Sequence, residues 1–188
     1  SFTFDPIPVQ HSIIEALAFA IETPIGTIIH SGDFKHDPMD TPNGVIGFDA
    51  FKEYGDKGVL LLMSDSTNAE RAGHTLSEEN ISESFEQIFK KQTGRILVAL
   101  FASNIRRVER LMHVAKSLDK KVAFMGRSMH SYTRLAHEQD SIKLPENTLI
   151  LIENIDNYAD DRVIVLATGS QAEPQSALLR ISQDIHKD

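Results

Sequence analysis

The chain has 188 residues, 41% of them apolar, which allows one ordinary domain or two small ones with a packed core. It has no cysteine, so disulfides and thiolate metal sites are excluded, a reducing cytoplasmic setting fits, and any metal must be held by His, Asp or Glu. No apolar run is long enough to span a membrane and no basic flank leads into an apolar segment at the start, while a net charge of −8 argues on its face against a nucleic-acid partner.

Residues 1–10 alternate in polarity and carry Pro6 and Pro8, which reads as an edge strand or an entry loop. Ser12 to Ile21 is apolar on nearly every side, and periodicity alone does not separate a short buried helix from a strand. Pro24-Ile25-Gly26 makes a turn. The strand through Ile28 and Ile29 then delivers His30-Ser31-Gly32-Asp33, with Gly32 permitting close approach or a positive φ beside the carboxylate. Residues 36–58 are rich in Gly and Pro and read as a connection with one helical turn near Phe48 to Tyr54. The run Val59-Leu60-Leu61-Leu62-Met63 reads as a buried strand with Asp65 just past its carboxyl end. Thr75-Leu76-Ser77-Glu78 has capping-box spacing, and Ile81, Phe85, Ile88 and Phe89 follow at helical intervals up to Gly94.

From Arg95 onward the pattern alternates: strand 96–101, helix 105–118, strand 122–125, helix 128–138, strands at 149–152 and 163–167, and a helix over 173–183 with Pro174 in its first turn. Such alternation predicts βαβ units and a parallel sheet. Met112, Met125 and Met129 read as core filler. Residues 101–137 hold eight basic side chains (Arg106, Arg107, Arg110, Lys116, Lys120, Lys121, Arg127, Arg134) against Glu109 and Asp119, an excess of six positive charges in an otherwise acidic chain. That is a polyanion track or a solvated helix face.

Strands ending at Asp33, Asp65, Asn104 and Gln171 each run into small polar or acidic residues, and open α/β sheets gather ligands at the carboxyl ends of their strands. The expectation is that these tips converge on one pocket. His11 and Asp33 suit zinc or manganese, but a catalytic zinc wants three protein ligands, no H-x-H or H-E-x-x-H occurs, and a lone His11 is more often structural. Asp65 either orients a ligand histidine from behind or forms an Asx-turn with the backbone two residues on; local chemistry favours the turn. Ser103-Asn104 and Thr168-Gly169-Ser170-Gln171 present hydroxyls and orphan N–H groups at helix starts, which either bind phosphate or simply cap. Two such turns on neighbouring strands, flanked by Arg106, Arg107 and Arg127, favour phosphate.

The ordered motifs V-Q-H-S-I, H-S-G-D-F-K, S-D-S-T-N-A-E, F-A-S-N-I-R-R and A-T-G-S-Q-A-E-P resemble the ribonuclease J family, in the β-CASP branch of the metallo-β-lactamase superfamily. The resemblance implies an α/β fold: part of a metallo-β-lactamase αββα sandwich over residues 1–76, then a β-CASP domain with a mainly parallel sheet over 77–188. It implies His11 as a metal ligand, Asp33 as the carboxylate bridging two zinc ions (Mn2+ or Mg2+ as alternatives), and Asp65 as the acid beside the site. Ala102, Ser103 and Asn104, with Arg106 on the helix that follows, would contact the nucleotide or its phosphate, and Ser170 would lie in the loop beneath the RNA channel. The implied activity is endonuclease and 5′-to-3′ exonuclease cleavage of single-stranded RNA by a homodimeric cytoplasmic enzyme, with the two metals activating water for in-line attack.

Departures from the family pattern are Ile14-Glu15 in place of Pro-Asp, and Ala172 in place of Gly, which is strained if that position needs a positive φ. The family's H-x-H-x-D-H motif is expected before Ser1 and its last histidines after Asp188, so the chain reads as an internal, by itself inactive piece of a longer enzyme. Two rivals remain: a small-molecule hydrolase of the same superfamily, which has no use for a β-CASP insertion, and a non-catalytic RNA-binding subunit of an RNA-degrading complex.

Overall fold

The computed structural model describes residues 1–35, 48–73 and 78–183. The chain forms two compact units, residues 1–79 and 80–188.

The first unit is a four-stranded sheet in the order β1-β2-β3-β4, made of β1 (Thr3–Pro8), β2 (Leu17–Thr23), β3 (Gly26–His30) and β4 (Leu61–Met63), with one helix, α1 (Phe48–Lys57). β1, β2 and β3 are antiparallel neighbours, and β4 joins β3 in parallel. The ambiguous stretch before Ile21 is therefore a turn followed by a strand. β1 is the edge that its prolines predict, since an edge strand tolerates missing N–H donors. Ile7, Ala18, Ala20 and Ile29 project to one side and pack with Tyr54, Ala50 and Phe51 of α1.

The other side of that sheet is apolar and uncovered among the described residues. Register places Phe4, Ile21, Ile28 and Leu61 in one row and Pro6, Phe19, His30 and Met63 in the next. Leu61 is 48% and Leu62 62% exposed, so the expectation of a buried strand at 59–63 is corrected: the run is a strand, but it sits on an open edge.

The second unit is a parallel sheet in the order β5-β8-β6-β7, from β5 (Ile96–Ala99), β6 (Lys121–Met125), β7 (Leu149–Ile150) and β8 (Val163–Ala167). Helices α2 (Glu78–Lys91), α3 (Ile105–Ser117), α4 (Arg127–Glu138) and α5 (Ala177–Ser182) flank it. β8 lies inside the sheet and all five of its residues are buried, as a strand covered on both faces requires. Val108, Leu111, Met112 and Ala115 of α3 pack with Phe89, Val122, Phe124, Met129, Ile164 and Leu166 into the main core. Each large side chain fully buried there contributes about 1.5–3 kcal/mol.

Two expectations in this unit change. Pro174 precedes the last helix rather than opening it: Gln175 adopts φ +63°, Ser176 caps the helix by accepting the Leu179 N–H, and α5 starts only at Ala177. The basic segment is also not one track. Lys120 and Lys121 stand at the amino end of β6, where they donate to the carbonyls of Asp161 and Asn147, and Lys116 donates to that of Glu146. Arg106, Arg107 and Arg127 lie instead in the first turns of α3 and α4, beyond the carboxyl ends of β5 and β6. Thr75 to Ser77 of the capping box, and the proposed boundary at 76/77, fall outside the described residues.

Candidate functional site

In the first unit, three segments meet at the ends of the strands. The Lys35 N–H donates to the Gln10 carbonyl at 2.7 Å, tying the segment that carries Asp33 to the one that carries His11. Beside them Asp65 uses both carboxylate oxygens: Oδ1 accepts the Thr67 N–H at 2.7 Å, and Oδ2 accepts the Phe34 N–H at 3.3 Å. The turn expected of Asp65 is thus present, and its second oxygen also holds the residue that follows Asp33. These bonds, chiefly from Thr67, hold the Asp65 carboxyl below the usual carboxylate range against the opposing effect of burial, with the Phe34 N–H and the nearby His11 adding to the lowering.

Ser31, which sequence reasoning passed over, locks the assembly. It is 4% exposed, its N–H donates to the Met63 carbonyl and its Oγ accepts the Asp65 N–H at 2.8 Å. Only a small hydroxyl one residue before Gly32 signals this in the sequence. Gly32 takes φ +59°, and a Cβ there would stand 2.9 Å from the Leu17 carbonyl oxygen, so the close approach is real. His11 is half-buried with its Nε2 3.3 Å from the Ser12 Oγ, and Asp33 is exposed.

The donor chemistry of His11 and Asp33 suits a divalent metal, but two side chains are fewer than a catalytic site needs. Among the described residues no group of three or more His, Asp or Glu side chains is placed to hold one.

In the second unit, register puts Ala99, Ala167 and Met125 in one row, so the segments that follow β5, β8 and β6 leave the sheet at the same level with the β8 turn in the middle. Asn104 is buried and its side chain accepts the Arg107 N–H at 3.3 Å, capping α3. Ala102 is also buried, and Arg106 pairs with Glu109 at 3.4 Å. Ser103 is half-buried and Ser170 exposed, and neither hydroxyl has a hydrogen-bond partner among the described residues. Ala172 takes φ +55°, the left-handed conformation that its departure from Gly makes costly. The metal candidates thus fall in one unit and the phosphate candidates in the other.

A cleft of about 440 Å³ opens at the carboxyl ends of β6 and β8, lined by Gly126, Arg127, Ser128, Thr168, Gln175 and Arg180. Arg180 was not foreseen, because the α5 sequence gives no sign that its arginine comes to the strand tips. No helix among the described residues is long and apolar enough to cross a membrane.

Comparison with known proteins bears on both units. The family model for the Ribonuclease J, beta-CASP domain matches residues 93–188. Ribonuclease J of Helicobacter pylori is 40% identical over 186 residues, covering 99% of this chain and 27% of that protein. Ribonuclease J of Thermus thermophilus is 40% identical over 185 residues, covering 98% and 32%, and Ribonuclease J 2 of Staphylococcus aureus is 37% identical over 177 residues, covering 94% and 32%. The chain therefore spans between a quarter and a third of the length of these curated relatives. A crystal structure from Enterococcus faecalis, titled as a protein of unknown function, superposes with a TM-score of 0.60 at 16% identity over 90% of this chain and 42% of that one, which is a likeness of fold.

Proposed function

Because the chain belongs to the ribonuclease J family, we propose that it is the middle part of a metal-dependent ribonuclease that cleaves single-stranded RNA in RNA processing and decay. Residues 1–76 would belong to the metallo-β-lactamase portion and 77–188 to the β-CASP portion, with the missing ligands supplied by flanking sequence. His11 and Asp33 would give one imidazole and one carboxylate to a zinc pair, which when bound lowers the pKa of water and neutralises charge on a phosphate. Within this chain, Asp65 would hold the Asp33 segment in place through the Phe34 N–H, and Ser103 and Ser170 would offer free hydroxyls to the strand.

The observation that carries this reading is the hydrogen-bonded junction of the segments bearing His11, Asp33 and Asp65 at one end of one sheet. The bonds bring the segments that carry a histidine and two carboxylates to the same end of one sheet, which supports reading them as parts of one site.

The test uses the full-length protein with Asp33→Asn. Loss of an outer partner of a metal ligand costs about 10–100-fold in affinity or activity, so losing a residue that would hold the metal directly should remove bound metal and lower cleavage of labelled single-stranded RNA by about a hundredfold or more. Full metal content and wild-type cleavage in D33N would end the reading.

A further inference from the structure

We propose that Ser31 is a positioning residue for Asp33: its hydroxyl holds the peptide group before Asp33, while the Asp65 carboxylate holds the one after it. The inference deepens the nuclease reading and rests on it only for the task that the Asp33 carboxylate performs.

Asp33 is exposed, and among the described residues its side chain has no hydrogen-bond or ionic partner. Its backbone is the opposite, since four successive peptide groups around it each make a bond. The Gly32 N–H donates to His30 Nδ1 at 3.1 Å, and the Gly32 carbonyl accepts from Ser31 Oγ at 2.7 Å. The Phe34 N–H donates to Asp65 Oδ2 at 3.3 Å, and the Lys35 N–H to the Gln10 carbonyl at 2.7 Å. Because a peptide group is planar, holding the planes on both sides of Asp33 holds its N, Cα and C atoms, and the direction of Cβ follows. The carboxylate keeps only its side-chain rotations.

Ser31 is the joint of this arrangement. Its one hydroxyl donates to the Gly32 carbonyl and accepts the Asp65 N–H at 2.8 Å, so its hydrogen and a lone pair are both used. The residue that holds the near side of Asp33 is thereby bonded to the residue whose carboxylate holds the far side. The Ser31 backbone is placed independently, since its N–H donates to the Met63 carbonyl at 2.9 Å. Ser31 is 4% exposed, so Ser31→Ala leaves the Gly32 carbonyl and the Asp65 N–H each short of a partner without loosening the strand.

Backbone ordered in advance does not have to be ordered when a ligand arrives, and a ligating side chain works only where its direction is already set. The bonding around Asp33 supports that use, because it orders a residue whose own side chain adds no polar contact to the fold among the described residues.

The test uses the full-length protein with Ser31→Ala, which removes the hydroxyl, and Ser31→Thr, which keeps it. Hydrogen exchange read by mass spectrometry on metal-stripped protein reports on the bonding itself: S31A should speed exchange of the Phe34 and Asp65 amides by roughly three- to tenfold, the worth of one hydrogen bond, and S31T should match the wild type. Cobalt(II), loaded alone, gives visible absorption bands that follow the geometry of its ligands. In S31A these bands should change and cobalt should bind about tenfold more weakly, with both restored in S31T. A hydroxyl that served stability alone would lower the melting temperature and leave the bands of folded protein as they were. In cleavage of single-stranded RNA, kcat should fall by about tenfold while KM holds.

Wild-type exchange at Phe34 in S31A, or wild-type cobalt bands in folded S31A, overturns the proposal. Ser31→Cys fills the same space with a weak donor and gives the same readings if S31A does not fold. RNA cleavage by the wild type with S31A unaltered in all three readouts removes the positioning role and leaves the nuclease reading intact. Faster Phe34 exchange and altered cobalt bands in S31A, from a protein that never cleaves RNA, do the reverse.

Discussion

Asp65 and Phe34, on segments that follow different strands, are joined by a hydrogen bond of 3.3 Å from the Phe34 N–H to Oδ2 of the carboxylate. Because the same carboxylate also closes the turn at Thr67, Asp65 is a two-sided clamp between the ends of β3 and β4. Replacing it by Ala leaves two N–H groups without their acceptor and should cost about 1–2 kcal/mol in urea unfolding at neutral pH.

The pH dependence of that clamp has a definite sign. The folded pKa of Asp65 is depressed, so its contribution is present above the unfolded carboxyl value of about 3.9 and is lost as pH falls through the lower folded value. Asp65→Asn should flatten the acid limb of the stability curve below about pH 4. An acid limb of unchanged slope in D65N would show that the carboxylate is not so held.

Tyr54 gives the opposite limb. Its hydroxyl donates to Asp5 across the first unit, and that bond, with burial and the negative charge of Asp5, pushes its pKa up to about 12. A raised folded pKa means stability that is complete below the unfolded value of about 10 and declines as pH rises toward the folded value. Tyr54→Phe should cost about 0.5–1.5 kcal/mol at neutral pH and reduce the loss of stability between about pH 10 and 12. Ultraviolet titration of tyrosinate should show an ionisation near pH 12 in the wild type that is absent in Y54F.

What the sequence discloses depends on whether the deciding partner is local. Val163 to Ala167 reads as a strand because apolar residues between polar turns suffice for one covered on both sides. The stretch before Ile21 stays ambiguous because its fate is set by pairing with β1, where Pro6 faces Phe19, and that partner is invisible to a helical or alternating period. Leu60 to Met63 misleads in another way: the apolar run is real, but composition cannot say whether its neighbours belong to the same chain. His11 and Asp33 stand out in the sequence as ligand-type residues, but their sharing of one site is implied only by motif resemblance, since the Lys35 to Gln10 hydrogen bond that brings their segments together is a backbone contact with no residue code. Arg180 is silent for the same reason, because only the order β5-β8-β6 places its helix beside the start of α4.

Thr133 lies on the buried face of α4 with Met129 and Ala136, 2% exposed, and its Oγ1 has no hydrogen-bond partner among the described residues. Thr133→Val keeps the shape and removes an unsatisfied hydroxyl, so the second unit should gain about 1 kcal/mol. A loss of stability on chemical denaturation would show that the hydroxyl has an acceptor.

Gly169 and Gly55 separate the two roles of glycine in one experiment. A Cβ at Gly169 meets Leu178 Cβ and Ser176 Oγ at 2.7 Å with φ +123°, so Gly169→Ala combines backbone strain with overlap and should destabilise by about 2 kcal/mol or more. Gly55 is inside α1 and a Cβ there meets nothing within 4 Å, so Gly55→Ala should stabilise by up to about 1 kcal/mol. Thermal melts in which both substitutions shift the midpoint in the same direction would refute this assignment.

The open face of the first sheet offers the last test. Phe4 is 63% exposed and shares a row with Ile21, Ile28 and Leu61, and contiguous apolar surface of this kind marks a contact site or a tendency to associate. In this chain alone, Phe4→Ser with Leu61→Thr removes little buried area, so unfolding free energy should change by no more than about 0.5 kcal/mol while dye binding and self-association fall. If the full-length enzyme covers this face with a second sheet, as the proposed metallo-β-lactamase portion requires, the same pair should cost it about 3 kcal/mol or more, because two large side chains are then lost from a core. Equal effects in the two proteins would mean that nothing packs there, and the assignment of residues 1–76 to such a sandwich would fall with it.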